Sequence, residues 1–247
     1  MYFDFFILKQ LDNMISGKAK KHINGLCQLI FPASCVCCGR SLVESERHIC
    51  TYCINDLPKT HYHRQKNNPL ERKFYGKGIA IEGVWAYYFF NKGGKARKLI
   101  HQFKYEGKKE IGFMIGRWYG YELKRQVPKL PFDSIVPVPL HKKKLYHRGF
   151  NQSKVFGDGL AVELQLPVEE LLEKKLDISS QTAKTRLDRW INSRSAYTLN
   201  PASEIKGKRI LLIDDILTTG STLEACARVL LEHGAKRIHI LVMAAGQ

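Results

Sequence analysis

The stretch Arg209–Thr222, RILLIDDILTTGST, constrains this chain more than any other. Ile210 to Ile213 is a continuous apolar run, the pattern of a strand buried on both faces in a parallel sheet rather than one with a wet face. Beyond the run, Leu223, Cys226, Ala227 and Leu230 fall at helical spacing, Gly234 is placed to end the helix, and Ile238–Val242 reads as another strand. A strand, a crossover helix and a second strand make one parallel unit. The same alternation begins earlier, with a strand at Ile135–Val138 and a helix over Asn151–Leu164. Repeated strand–helix units specify an α/β sheet flanked by helices.

Upstream, 79–90 is rich in aromatic and β-branched residues and reads as a strand with a bulge or turn at Gly83. A strand packed in a core explains Trp85–Phe90 better than a base-stacking surface does. Helical stretches are expected near 94–103 and 110–125. Residues 61–69 are polar and basic and end in Pro69, so 61–78 is expected to be a linker. The resulting division is an N-terminal segment 1–26, a cysteine-rich segment 27–60, the linker, and a domain over 79–247. A chain of 247 residues suits one substantial domain plus a small one.

The chemistry centres on 214–222. Asp214 and Asp215 are expected at the end of the buried strand, followed by Thr218, Thr219, Gly220, Ser221 and Thr222 at the mouth of a helix. Free backbone N–H groups and the positive end of the helix dipole suit a phosphate dianion there. Two carboxylates beside a phosphate would repel it unless they serve something else. They can accept hydrogen bonds from sugar hydroxyls, or hold Mg²⁺ through water. A phosphorylated ribose meets both demands.

The second motif is Cys35-x-x-Cys38, eleven intervening residues, then Cys50-x-x-Cys53. Two such knuckles supply four thiolates to one tetrahedral zinc, and a segment too small to build its own core gains its stability from the ion, which is then structural. Cys37 competes with Cys38 as ligand, although spacing from Cys35 favours Cys38. Cys27 and Cys226 read as isolated packing residues. Seven cysteines, an odd number, suit a reducing cytoplasmic setting better than a disulfide framework.

Lys and Arg number 40 against 23 Asp and Glu, a formal net charge of +17. Such a chain attracts polyanions: phosphorylated metabolites, nucleic acid or acidic membrane surfaces. Charge alone does not choose among them. The N-terminal MYFDFFILK is short, carries Asp4 and lacks a basic lead, so it does not read as a signal peptide. No apolar run approaches the ~20 residues of a spanning helix, and no membrane insertion is expected.

The 214–222 string resembles the 5-phosphoribosyl-1-pyrophosphate (PRPP) motif of type I phosphoribosyltransferases. The resemblance extends further, to the ComF family of bacterial competence-type proteins. The cysteine pairs carry it, together with His101–Tyr105, Val136–Leu140, His147–Gln152 and Gln181–Asn192, over roughly residues 27 to 247. It implies a type I phosphoribosyltransferase-like parallel sheet behind a small N-terminal zinc ribbon. Thr218 to Thr222 would cradle the ribose 5-phosphate, and Asp214 and Asp215 would hold the ribose hydroxyls. The loop after the 135–138 strand would take the pyrophosphate, with Arg148 and the Gly149 backbone as its contacts and Lys142–Lys144 adding attraction. Lys104 is singled out by the resemblance alone. Gln181, Arg186 and Arg189 match a flexible loop that closes over the ligand. The activity implied is Mg²⁺-dependent phosphoribosyl transfer to a nitrogen acceptor that the sequence does not name. The alternative is a non-catalytic module supporting single-stranded DNA uptake or processing, with the DNA or competence-machinery proteins as partners.

Overall fold

A computed structural model of the chain describes residues 33–127, 129–175, 196–201 and 203–246. The chain divides into two units, 1–56 and 57–247. Described elements of the larger unit are strands β1 (Ile81–Phe89), β2 (Ser134–Pro137), β3 (Leu172–Lys174), β4 (Tyr197–Leu199), β5 (Arg209–Leu217) and β6 (Arg237–Ala245). Its helices are α2 (Lys95–Tyr105), α3 (Lys109–Gln126), α4 (Lys142–Arg148), α5 (Gln152–Leu164) and α6 (Ser221–Glu232). A one-turn helix, α1 (Thr51–Asn55), belongs to the smaller unit.

The main sheet has the order β1-β6-β5-β2, and every pairing in it is parallel. Both faces are covered, which is why its strands read as unbroken apolar runs. On one face Val84, Val136, Ile210, Leu212, Ile240 and Val242 pack with Leu223, Cys226, Ala227 and Leu230 of α6. On the other, Tyr87 of β1 stacks on Tyr119 of α3 at 4.4 Å, and Gly157 of α5 lies against Ile213 and Ile135. Helices α3 and α5 approach closely. A Cβ on Gly159 would stand 2.2 Å from the Phe113 carbonyl oxygen, and one on Gly116 would stand 2.3 Å from that of Phe156. Only glycine fits such a contact.

The expected elements appear with shifted ends, and the register irregularity at Ile81/Gly83 falls where a bulge is expected. Trp85, Tyr87 and Tyr88 are buried, as core residues. Three features differ. First, β5 does not stop before the acids: its pairing with β6 continues through Asp214↔Val242 to Leu217↔Ala245. Second, 61–78 is no bare linker. It forms two 3-10 turns, buries Leu70 and Phe74 in the core, and uses Asn68 Nδ2 to donate to the Val84 carbonyl at 3.0 Å. The polar composition of that segment conceals two buried anchors. Third, 142–148, expected as loop, is a short helix capped by the His141 side chain and ended by Gly149 in the left-handed region (φ 73°). An antiparallel ribbon of β3 and β4 was not anticipated; these strands are too short to show a period.

Candidate functional site

The carboxyl ends of β2 and β5 place the acids. Pairing extends one residue past β2, Val138 N donating to the Ile213 carbonyl at 2.9 Å. Asn151 then ties strand to helix: its Nδ2 donates to the Val138 carbonyl at 3.0 Å, and its Oδ1 accepts from Ser153 N at 3.0 Å as the cap of α5. This fixes Ser153, whose hydroxyl donates to Asp214 Oδ1 at 2.8 Å. The Asp215 N–H donates to the same oxygen at 2.8 Å. Lys104, at the end of α2, pairs with Asp215 Oδ2 at 2.8 Å with both side chains largely shielded. Burial, then the neighbouring Asp215 charge, pushes Asp214 up to about 7, against the pull of the Asp215 N–H, Ser153 and Lys104. One acid is thus poised near neutrality and its neighbour is held beside a cation.

The loop after the acids exposes Thr218, Thr219 and Ser221 around a buried Gly220. Gly220 is left-handed (φ 81°) and forms the N-cap of α6, where no side chain makes a capping hydrogen bond. A Cβ there would meet Phe74 Cζ at 3.0 Å, so backbone conformation and packing both demand glycine. Thr219 Oγ1 and Ser221 Oγ lie 3.2 Å apart. The 70–77 segment braces this loop. Lys73 Nζ donates to the Thr218 carbonyl at 2.8 Å, Arg228 donates to the Lys77 carbonyl at 2.8 Å, and Lys77 pairs with Glu224 at 2.9 Å.

Arg148 closes α4. Its Nη1 donates to Gln152 Oε1 at 2.9 Å, and its guanidinium sits 5.6 Å from the ring centre of Tyr105, the neighbour of Lys104. The structure therefore links Lys104, Arg148, Asp214 and Asp215 through Tyr105, Gln152 and Ser153, with Gly149 immediately beyond. Gln181, Arg186 and Arg189 lie outside the described residues. Sequence reading missed Ser153, Lys73 and Phe74. An Asn-x-Ser cap signal pointed to the first; nothing local in sequence points to the others.

In the smaller unit, the sulphurs of Cys35, Cys38, Cys50 and Cys53 lie within 4.8 Å of one another. Knuckle turns place them: Gly39 N donates to the Cys35 carbonyl at 2.8 Å, and Cys50 N points at Cys35 Sγ at 3.4 Å. Cys37 is buried but is not in the set. Burial pushes the Cys35 thiol up, yet the N–H groups of Cys50, Cys38 and Cys37 bring it down to about 6. Burial, then the neighbouring thiols, pushes Cys53 up. Four sulphurs at this spacing could hold zinc. Cys226 is a buried packing residue, as expected, and Cys27 lies outside the described residues.

A helix-flanked parallel sheet with a glycine loop after paired acids is the phosphoribosyltransferase-type architecture, and the phosphoribosyl transferase domain model matches residues 151–247. Among curated proteins, the chain is similar to the DNA utilization protein YhgH of Escherichia coli (strain K12), 27% identical over 83% of this chain and 87% of that one. It is likewise similar to the competence protein ComFC of Bacillus subtilis (strain 168), 28% identical over 81% and 78%. Competence protein F of Haemophilus influenzae is 31% identical over 45% and 49%. The chain is thus similar to competence-type and DNA utilization proteins, and it joins a four-cysteine segment to a phosphoribosyltransferase-type domain. Among solved structures, glutamine PRPP amidotransferase from B. subtilis matches at 20% identity over 56% of this chain and 26% of that chain, TM-score 0.37. Adenine phosphoribosyltransferase matches at 16% identity over 59% and 74%, TM-score 0.36. Among the described residues no helix is long and apolar enough to cross a membrane.

Proposed function

We propose that the chain binds PRPP at the carboxyl edge of its sheet and transfers the phosphoribosyl group to a nitrogen acceptor. One observation carries the reading: two adjacent carboxylates, one pushed up to about 7 and one paired with Lys104, stand directly before a glycine loop that opens a helix. Thr218 to Thr222 would take the 5-phosphate with hydroxyls and backbone N–H groups. Asp214 and Asp215 would accept from the ribose hydroxyls. Arg148 and the Gly149 N–H would meet the pyrophosphate, a forked guanidinium matching paired phosphate oxygens. Gln181, Arg186 and Arg189 are proposed to close over the ligand and exclude water.

The oxygen donors of Asp214 and Asp215 fit Mg²⁺, reached through water, and the ion would neutralise charge on the departing pyrophosphate. Ser153 keeps Asp214 aligned and Lys104 keeps Asp215 turned toward the site. We propose zinc at Cys35, Cys38, Cys50 and Cys53 as a structural ion, a domain boundary near 57–60, and a reducing cytoplasmic setting.

Release of pyrophosphate from Mg²⁺-PRPP across a panel of nucleobases and amines tests the reading. Turnover with one acceptor, lost in Asp215→Asn, supports transfer. PRPP held without turnover by any acceptor favours a second reading, in which the pocket belongs to a module handling single-stranded DNA. That reading draws on the DNA utilization and competence names of the relatives and on Tyr146, 87% exposed beside Lys142–Lys144.

A further inference from the structure

The 61–78 segment carries a second cluster of ligating groups. His61 stands at the N-cap of the first 3-10 turn in the left-handed region (φ 55°), and the turn Tyr62–Arg64 follows it. His61-x-His63 is thereby folded against α3, where Glu122 projects. His61 Nδ1 lies 3.4 Å and His63 Nε2 3.8 Å from Glu122 Oε1. Glu122 is only 9% exposed, and its Oε1 is buried with no hydrogen-bond partner among the described residues. Its other oxygen is taken by Lys59 Nζ at 2.7 Å.

A buried, unpartnered carboxylate oxygen has lost its water without gaining a partner, an uncompensated desolvation cost. His63 cannot cure the defect, because Nε2 already faces the Gln126 amide oxygen, which also accepts from Arg64 Nε at 2.7 Å. One ring nitrogen with one proton meets two acceptors. A cation resolves the conflict, accepting lone pairs from both imidazoles and from Oε1. The spacing suits it: donors about 2.0–2.2 Å from a tetrahedral ion stand about 3.4 Å apart. The surroundings suit it too. His63 Nδ1 lies 3.4 Å from the Tyr119 hydroxyl, so an Nδ1–H donating to that oxygen would leave the Nε2 lone pair to the ion once the Gln126 amide oxygen turns from it toward its other donor, Arg64 Nε. His61 is half-exposed and provides the way in.

We propose that His61, His63 and Glu122 form a second metal site, selective for a divalent transition ion of the zinc class. Two imidazoles and one carboxylate are borderline donors. The Lys59 ammonium on the same carboxylate disfavours hard ions that rely on accumulated negative charge. The ion would pin residues 61–63 to α3, within the unit 57–247.

Cobalt(II) substitution of the full-length, chelator-stripped protein separates this site from the four thiols. Cobalt on cysteine gives an intense thiolate-to-metal absorption, whereas cobalt on imidazole and carboxylate gives only weak visible bands. The wild-type chain should bind one equivalent of each kind, with the same stoichiometry for zinc by elemental analysis. His61→Asn, which keeps a residue tolerant of the left-handed backbone, and Glu122→Gln should each lose the equivalent without thiolate signature and keep the other. Cys38→Ser should do the reverse. Wild-type uptake confined to the thiolate signature, or unchanged stoichiometry in folded His61→Asn protein, would overturn the proposal.

Discussion

The two units reach order by opposite routes. Among the described residues of the smaller unit, the buried apolar set is Cys35, Cys37, Ile49, Cys50 and Cys53. Four sulphurs and one isoleucine cannot offset the conformational entropy of ordering such a segment. The larger unit buries side chains on both faces of a four-stranded sheet, and it carries the surplus needed to hold two acids in an unfavourable place. The difference teaches where each unit is vulnerable: one at its ligands, the other at its closest contacts and its strained site.

Breaking the first side of this contrast has the largest expected effect. Cys50→Ser removes a ligand of the proposed zinc site, whose ion in small metal-folded segments supplies roughly 10–16 kcal/mol. Hydrogen exchange should show loss of protection over 33–56, while the 57–247 unit melts as before. Equal protection in metal-free protein would mean that the small unit holds itself together.

Next comes Gly159→Ala, which breaks the second side. Its Cβ would stand 2.2 Å from the Phe113 carbonyl oxygen, so α3 and α5 must separate. Overpacking of this kind costs about 1–3 kcal/mol or more. Thermal melting should fall accordingly, with zinc content unchanged.

Asp214→Asn sharpens the comparison, because stability and function part there. The folded form prefers Asp214 protonated up to about 7, above the ordinary value of 3.8. Between those values the folded state binds more protons than the unfolded one, so stability falls as pH rises across that window. The Asn variant should be more stable than wild type at pH 8, by denaturant titration, and little different at pH 4. The same variant should lose PRPP affinity.

The smallest effect is expected at Asp133, which grips Arg209 where β2 and β5 begin. Hydrogen bonds from the Arg209 side chain and N–H hold Asp133 down at about 2. That contribution is present above pH 3.8 and disappears as pH falls through 2. Asp133→Asn should lower stability slightly above pH 3.8 and leave it unchanged near pH 2, flattening the acid limb, which acid titration followed by circular dichroism would show.

Much of this was legible in the sequence, for physical reasons that also mark its limits. The unbroken run Ile210–Ile213 announced a strand buried on both faces, and paired Cys-x-x-Cys knuckles announced a gathered set of sulphurs. Both signals are local. Nothing local singles out Lys104, yet it lies against Asp215, more than a hundred positions away. Likewise Phe74 under Gly220 and His61 beside Glu122 are contacts across the fold that no spacing reveals. The polarity of residues 61–69 reads as linker, whereas the burial of Leu70 and Phe74 that follows decides the packing. The extension of β5 through Asp214 and Asp215 depends on pairing with β6, which overrides the poor strand propensity of aspartate.

The central claim, that the acids and the glycine loop form a PRPP pocket, is tested most directly by calorimetric titration with Mg²⁺-PRPP. Wild type should bind saturably, and a folded Asp214→Asn, Asp215→Asn double variant should not. Equal binding by both proteins, or no heat from folded, zinc-loaded wild type, would contradict the account.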